Sequence, residues 1–181
     1  MGLFDLVKGN MKKGSKKQTP TYYSRPTDKN YVDSLYAQVN YSSAAHKTMR
    51  AYSSKYFKGM EELESMWSVM YNLKLFSGEK ADIFQSKCQE NISDLHKMLD
   101  ANKKYGFDDR MPPHVPAYVR LCMLYEKQEK YERAINICVE AINAGAISDN
   151  SKGKMYGRLA RLIRKSGLAV SDDVLQLANK S

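Results

Sequence analysis

Residues 115–148 read VPAYVRLCMLYEKQEKYERAINICVEAINAGAIS. Two sets of apolar and small residues recur within them at steps of three and four: Tyr118, Leu121, Cys122 and Tyr125, then Ala134, Ile135, Cys138, Ala141 and Ile142. That spacing places each set along one face of an α-helix. The polar pair Glu129-Lys130 separates them, so the stretch predicts two amphipathic helices folded back as an antiparallel hairpin.

The same period continues upstream. Tyr31, Val32, Leu35, Tyr36 and Val39, then Tyr41, Ala45, Met49, Tyr52 and Tyr56, predict a helix to about residue 57. Thr27 or Asp28 is its expected cap, and a break is expected near Asn40 to Ser43. Gly59 is expected to punctuate the chain, after which Glu61, Glu62 and Glu64 load a new helix N-terminus with favourable negative charge. Leu63, Met66, Trp67, Met70, Leu73 and Phe76 carry that helix to a stop at Ser77-Gly78. Phe84, Cys88, Ile92, Leu95 and Leu99 predict the return helix, which ends at Gly106. So short a connection implies antiparallel packing. Asp108 to Pro116 is a linker stiffened by three prolines, with Pro116 in the first turn of the next helix, where a missing N–H costs little.

The hairpin of residues 115–148 resembles the tetratricopeptide repeat, a helical unit of about 34 residues. The resemblance rests on Tyr118, Leu121, Cys122 and Tyr125 in the first helix and on Tyr131, Ala134, Cys138 and Ala141 in the second. Cys122 fills a slot usually held by Gly or Ala, and Cys138 one where a bulky aromatic is common. Cys122 and Ala134 would let the two backbones approach closely, while Tyr125 and Tyr131 wedge the turn. Glu129 stands where a turn Gly is usual, and Ala146 where Pro often ends the unit.

Downstream, Tyr156, Leu159, Ala160 and Ile163 repeat the first-helix spacing after the polar insertion Asp149 to Lys152, and Gly167 falls at the turn. Ser171-Asp172-Asp173 then opens a last helix with Val174, Leu175 and Ala178, a degenerate terminal cap without the two alanines. One repeat cannot bury its own faces, so the resemblance implies stacked neighbours. The expected fold is all-α: antiparallel helical hairpins stacked as a short tetratricopeptide-like α-solenoid. Its expected parts are a basic tail over 1–30, helical hairpins over 31–107 and repeats over 108–181.

The net charge of +9 lies at the two ends. Residues 1–30 carry seven Lys/Arg against two Asp, residues 149–181 carry seven against three, and the middle holds fifteen of each sign. Lys8, Lys12, Lys13, Lys16 and Lys17 stand among Gly, Ser, Thr and Pro, a composition that buries too little apolar area to offset chain entropy. A mobile tail is expected. With Leu3, Phe4 and Val7 before it, the basic run supplies the two weak signals that binding to an anionic membrane needs. It also fits nucleic acid.

No run approaches the roughly eighteen apolar residues of a membrane span. Asp5 interrupts the opening apolar stretch, unlike a secretory signal, and Leu6 stands where a myristoylation motif wants Ser or Thr. Without export, Asn40-Tyr41-Ser42 and Asn91-Ile92-Ser93 have no glycosylation role. Cys88, Cys122 and Cys138 form no CxxC pair and fall on apolar helix faces, so buried reduced thiols in a cytoplasmic protein are expected.

Signals for catalysis are missing. His46, His96 and His114 lie far apart, with no two histidines at a spacing that would aim both at a metal from one helix face. Gly153-Lys154 lacks the first Gly, the Ser/Thr and the preceding strand of a phosphate loop. No GxSxG motif occurs, and Asp108-Asp109 reads as linker polarity. No enzymatic activity, metal, cofactor or small-molecule substrate is expected.

In tetratricopeptide domains the first helices of successive repeats line a groove, which would place Val119, Met123, Glu126 and Lys127 there, followed by Arg161, Arg164 and Lys165. Independently, Lys154, Arg158, Arg161 and Lys165 recur beside the apolar stripe Met155, Leu159, Leu162 and Ile163, which makes one flank basic. The expected function is a scaffold or adaptor that holds an acidic segment of a partner protein. Val119, Met123, Lys127, Lys154, Arg158, Arg161, Arg164 and Lys165 are its expected contacts, with Arg as a carboxylate fork. Two alternatives remain: a nucleic-acid-associated protein using the basic tail and the 154–165 helix, with salt-dependent affinity, or a peripheral membrane adaptor anchored by residues 1–17.

Overall fold

A computed structural model describes the chain from Lys29 to Lys180, with side chains at Gln38 and from Tyr41 onward. The basic tail and the expected cap at Thr27 or Asp28 lie outside the described residues. Six helices make up the described chain: α1 (Lys29–Asn72), α2 (Glu79–Tyr105), α3 (Pro116–Lys127), α4 (Tyr131–Ala144), α5 (Lys154–Ser166) and α6 (Asp172–Ala178). There is no strand among the described residues, and the fold is all-α. Two units divide the chain, Met1–Val39 and Asn40–Ser181. The second holds the remainder of α1, every later helix and the hydrophobic core.

α1 is one helix of 44 residues. The break expected near Asn40 to Ser43 and the stop expected at Gly59 do not occur. Asn40 to Ser43 include neither Pro nor Gly, and their weak helix preferences cost only about 0.5 kcal/mol each. Tyr41 packs edge-on against Tyr105, with ring centroids 5.8 Å apart. At Gly59, an added Cβ would stand 2.7 Å from Asn91 Nδ2. That amide donates to the Tyr56 carbonyl at 2.9 Å. The glycine therefore makes room for a hydrogen bond between α1 and α2 and leaves α1 continuous.

Left-handed residues follow every helix but α6. α2 and α4 close on Gly106 (φ 73) and Gly145 (φ 91). In each case the following N–H reaches back into the last turn, from Phe107 to the Asn102 carbonyl and from Ala146 to the Ala141 carbonyl. α1 and α3 make the same closure on Lys74 (φ 56) and Glu129 (φ 59). Here Leu75 N–H donates to the Met70 carbonyl and Lys130 N–H to the Tyr125 carbonyl, both at 2.9 Å. α1 thus stops before Ser77-Gly78, and Gly78 becomes the N-cap of α2. Glu129 holds a backbone geometry that a Cβ makes costly by about 1–2 kcal/mol.

α1 and α2 run antiparallel, as shown by Trp67 against Phe84 (5.5 Å), Asn91 against Tyr56, and Lys55 Nζ 2.9 Å from Asp94. α2 packs on α3, α3 on α4, α4 on α5 and α5 on α6. One core runs through these layers and includes Tyr56, Leu63, Phe84, Leu95, Tyr118, Leu121, Leu124, Met155, Leu159 and Leu162. Burial of each such side chain contributes about 1.5–3 kcal/mol. Between α3 and α4, Cys122 Sγ lies 3.6 Å from the Ala134 carbonyl oxygen and 3.2 Å from Cys138 Sγ. Small side chains here let the backbones close together. All three cysteines are buried free thiols, and burial pushes those of Cys88 and Cys122 well up. Pro116 occupies the first turn of α3, as its place in the sequence suggests.

Candidate partner-binding surface

The first helices of the three hairpins, α1, α3 and α5, are tied together by Arg–Glu contacts. Arg120 of α3 grips Glu64 of α1 with two donors, Nε at 2.9 Å and Nη2 at 2.7 Å, and its guanidinium lies 5.7 Å from the Trp67 ring centroid. Arg158 has the same place in α5 and reaches Glu126 of α3 at 3.4 Å. Glu126 also faces Arg161 Nε at 3.9 Å and Lys165 Nζ at 3.5 Å. A single carboxylate is therefore met by three cations.

Arg158 belongs to a buried ion pair. Its side chain is 7% exposed and that of Asp149 is 3% exposed. Nε donates to Asp149 Oδ2 and Nη2 to Asp149 Oδ1. The Ser151 N–H and hydroxyl donate to the same carboxylate at 3.2 and 3.0 Å. Burial alone would raise the Asp149 carboxyl, but the hydrogen bonds and charge of Arg158, with help from Ser151, outweigh it and hold the group below its ordinary value. The insertion Asp149 to Lys152 supplies the carboxylate that neutralises Arg158. A place for Arg158 on an open basic flank is thus corrected: its charge is consumed inside the fold.

Val119 needs the same correction, because it is buried in the core and has little surface to offer. Met123 is half-buried and Lys127 exposed, with its Nζ 5.7 Å from the Tyr71 ring centroid and 5.8 Å from that of Phe76. Arg161 and Lys165 are partly open to solvent, and Lys165 Nζ also lies 5.5 Å from the Tyr131 ring centroid. Lys154 is exposed at the start of α5, where it takes a left-handed φ of 55. Arg164 is exposed too, but it borders an open depression with Lys152, Gly153, Gly157 and Ala160, around the helix from Glu126. Arg161 and Lys165 thus gather at Glu126, next to Lys127 in α3. Val119 and Arg164 are not part of that cluster, and Arg158 reaches Glu126 only from within its buried pair with Asp149.

Sequence reading missed Arg120, Glu64 and Tyr71 as parts of this face. One signal was available: the offset that carries Tyr118 to Tyr156 also carries Arg120 to Arg158. A cation repeated at one register points to a repeated carboxylate partner. Among the described residues, no three His, Cys, Asp or Glu side chains gather as metal ligands. None of the described helices is long and apolar enough to cross a membrane. No protein-family model, curated protein or solved structure matches the chain.

Proposed function

We propose that the chain is a non-enzymatic protein-interaction scaffold, built of tetratricopeptide-like hairpins, that holds an acidic partner segment along the face shared by α1, α3 and α5. The observation that carries this reading is the charge balance at Glu126. Asp149 and Glu126 together face Arg158, Arg161 and Lys165. The excess positive charge rests on the exposed ends of Arg161 and Lys165, with Lys127 beside them. A partner carboxylate can accept from these donors without displacing the Arg158–Asp149 pair, and charged donors of this kind make the stronger hydrogen bonds. Met123 and Tyr71 offer apolar contact next to them, and Lys154 extends the field along α5. The three buried free thiols fit a reducing, cytoplasmic setting.

The test is capture from a nuclease-treated lysate of the native host, read by mass spectrometry, with full-length wild type and the double variant Arg161→Glu, Lys165→Glu as baits. Loss of the principal captured protein is expected, with the helical circular dichroism unchanged. Equal capture by both baits would defeat the basic-face reading.

A further inference from the structure

Between Ser34 and Met60 the chain carries Lys47, Arg50, Lys55 and Lys58 and no carboxylate at all. Lys55 is engaged by Asp94 at 2.9 Å and Glu90 at 3.5 Å. Lys47, Arg50 and Lys58 are exposed, and none lies within ion-pair distance of a carboxylate among the described residues. Helical spacing puts these three cations on one side of α1 with Ser43 and Ser54. The opposite side carries Ala45, Tyr56 and Leu63, which are buried. Ser43, His46, Lys47 and Arg50 line an open depression.

We infer that this face of α1 binds the phosphodiester backbone of a nucleic acid without sequence preference. Lys47 to Lys58 spans about 16 Å at 1.5 Å per residue, the axial rise of about five phosphates on one strand. Ammonium, guanidinium and hydroxyl groups along that length are all phosphate donors. A helix that lies in a bilayer interface instead buries a broad apolar stripe. The residues among these cations are Ser and Ala, while Phe57 lies at the edge of the stripe and Tyr41 packs on Tyr105 of α2. A polymer of phosphates therefore fits this face better than a membrane does. The site is separate from the 154–165 helix, where Arg158, Arg161 and Lys165 already face Asp149 and Glu126. In sequence, the 28 residues before α1 add six Lys/Arg against two Asp.

The experiment uses the full chain and two fluorescein-labelled single-stranded oligonucleotides of equal length and unrelated sequence, with anisotropy followed between about 50 and 200 mM salt. Both oligonucleotides should bind alike, with log K falling linearly against log salt. The triple variant Lys47→Gln, Arg50→Gln, Lys58→Gln should bind at least tenfold more weakly at about 100 mM salt, with a slope shallower by about 2, because each phosphate contact on a single strand contributes about 0.7. Its circular dichroism should match wild type. Wild-type affinity in the triple variant, or no oligonucleotide binding by wild type, overturns the inference. Binding to phosphatidylserine vesicles without binding to oligonucleotides overturns it in favour of a membrane.

Discussion

Arg158 and Asp149 form a buried ion pair across the α4–α5 connection, and its carboxylate comes from the segment that interrupts the repeat spacing. The two side chains are 7% and 3% exposed. Because breaking a buried pair strands one charge, Asp149→Ala should destabilise the protein by about 3–5 kcal/mol. Arg161→Ala removes a half-open side chain 3.9 Å from Glu126 and should cost no more than about 1 kcal/mol. Urea denaturation of the two variants measures the difference. Similar midpoints would show that Asp149 does not neutralise a buried charge.

The same pair sets an acid limit. The Asp149 carboxyl is held below its ordinary value in the folded protein, against the opposing effect of burial. Its contribution is therefore fully present above the unfolded carboxylate value of about 3.9 and is lost as pH falls through the lower folded value. Thermal melts of wild type should drop below about pH 4. In Asp149→Asn the drop should be shallower, from a lower starting point at neutral pH, and parallel curves for the two proteins would remove Asp149 from the acid response.

Glu129 carries strain that Gly167, at the matching turn of the next hairpin, avoids. Their φ values are 59 and 65. Glu129→Gly should raise stability by about 0.5–1 kcal/mol, the relief of left-handed strain less the added freedom of the unfolded chain. Gly167→Ala should lower it by about 1 kcal/mol from strain alone, since no heavy atom lies within 4 Å of an added Cβ. Equilibrium denaturation should move in opposite directions for the two substitutions.

These residues also mark how far the sequence could be read. The periodic sets from Tyr118 to Ile142 gave the hairpin, and Pro116 and Gly106 gave its flanking boundaries, because each is a local constraint. Glu129 was visible as a departure from the repeat pattern, although its φ was not. Arg158 and Val119 look open in sequence for a different reason: whether a side chain beside an apolar stripe faces solvent depends on what closes over it. Asp149 closes over Arg158 from an irregular loop that periodicity does not describe. Gly59 looks like a stop in sequence because its neighbour Asn91 lies on another helix, beyond any local pattern. The two carboxylates among the cations of α5 come from elsewhere, Glu126 from α3 and Asp149 from the preceding loop, so the basic flank looks more open in sequence than it is.

Gly157 should tolerate no side chain, even though it lies inside a helix, where alanine is ordinarily the better residue by about 0.5–1 kcal/mol. An added Cβ would stand 2.1 Å from the Lys152 carbonyl oxygen and 3.0 Å from its carbon. The obstacle is backbone in a loop fixed from several sides. Ser148 N–H donates to the Pro113 carbonyl at 2.7 Å, Met155 N–H to the Ile147 carbonyl at 3.1 Å, and Ser151 binds Asp149. Overpacking at such a place costs about 1–3 kcal/mol. The same loop carries Asp149 three residues before Lys152, so the clash is expected to disturb the Asp149–Arg158 pair. Gly157→Ala should therefore melt below wild type at neutral pH and lose part of the acid sensitivity described for Asp149, two effects that poor helix preference alone would not link. A melting temperature at or above wild type would show that the loop yields freely and does not hold Arg158 in place.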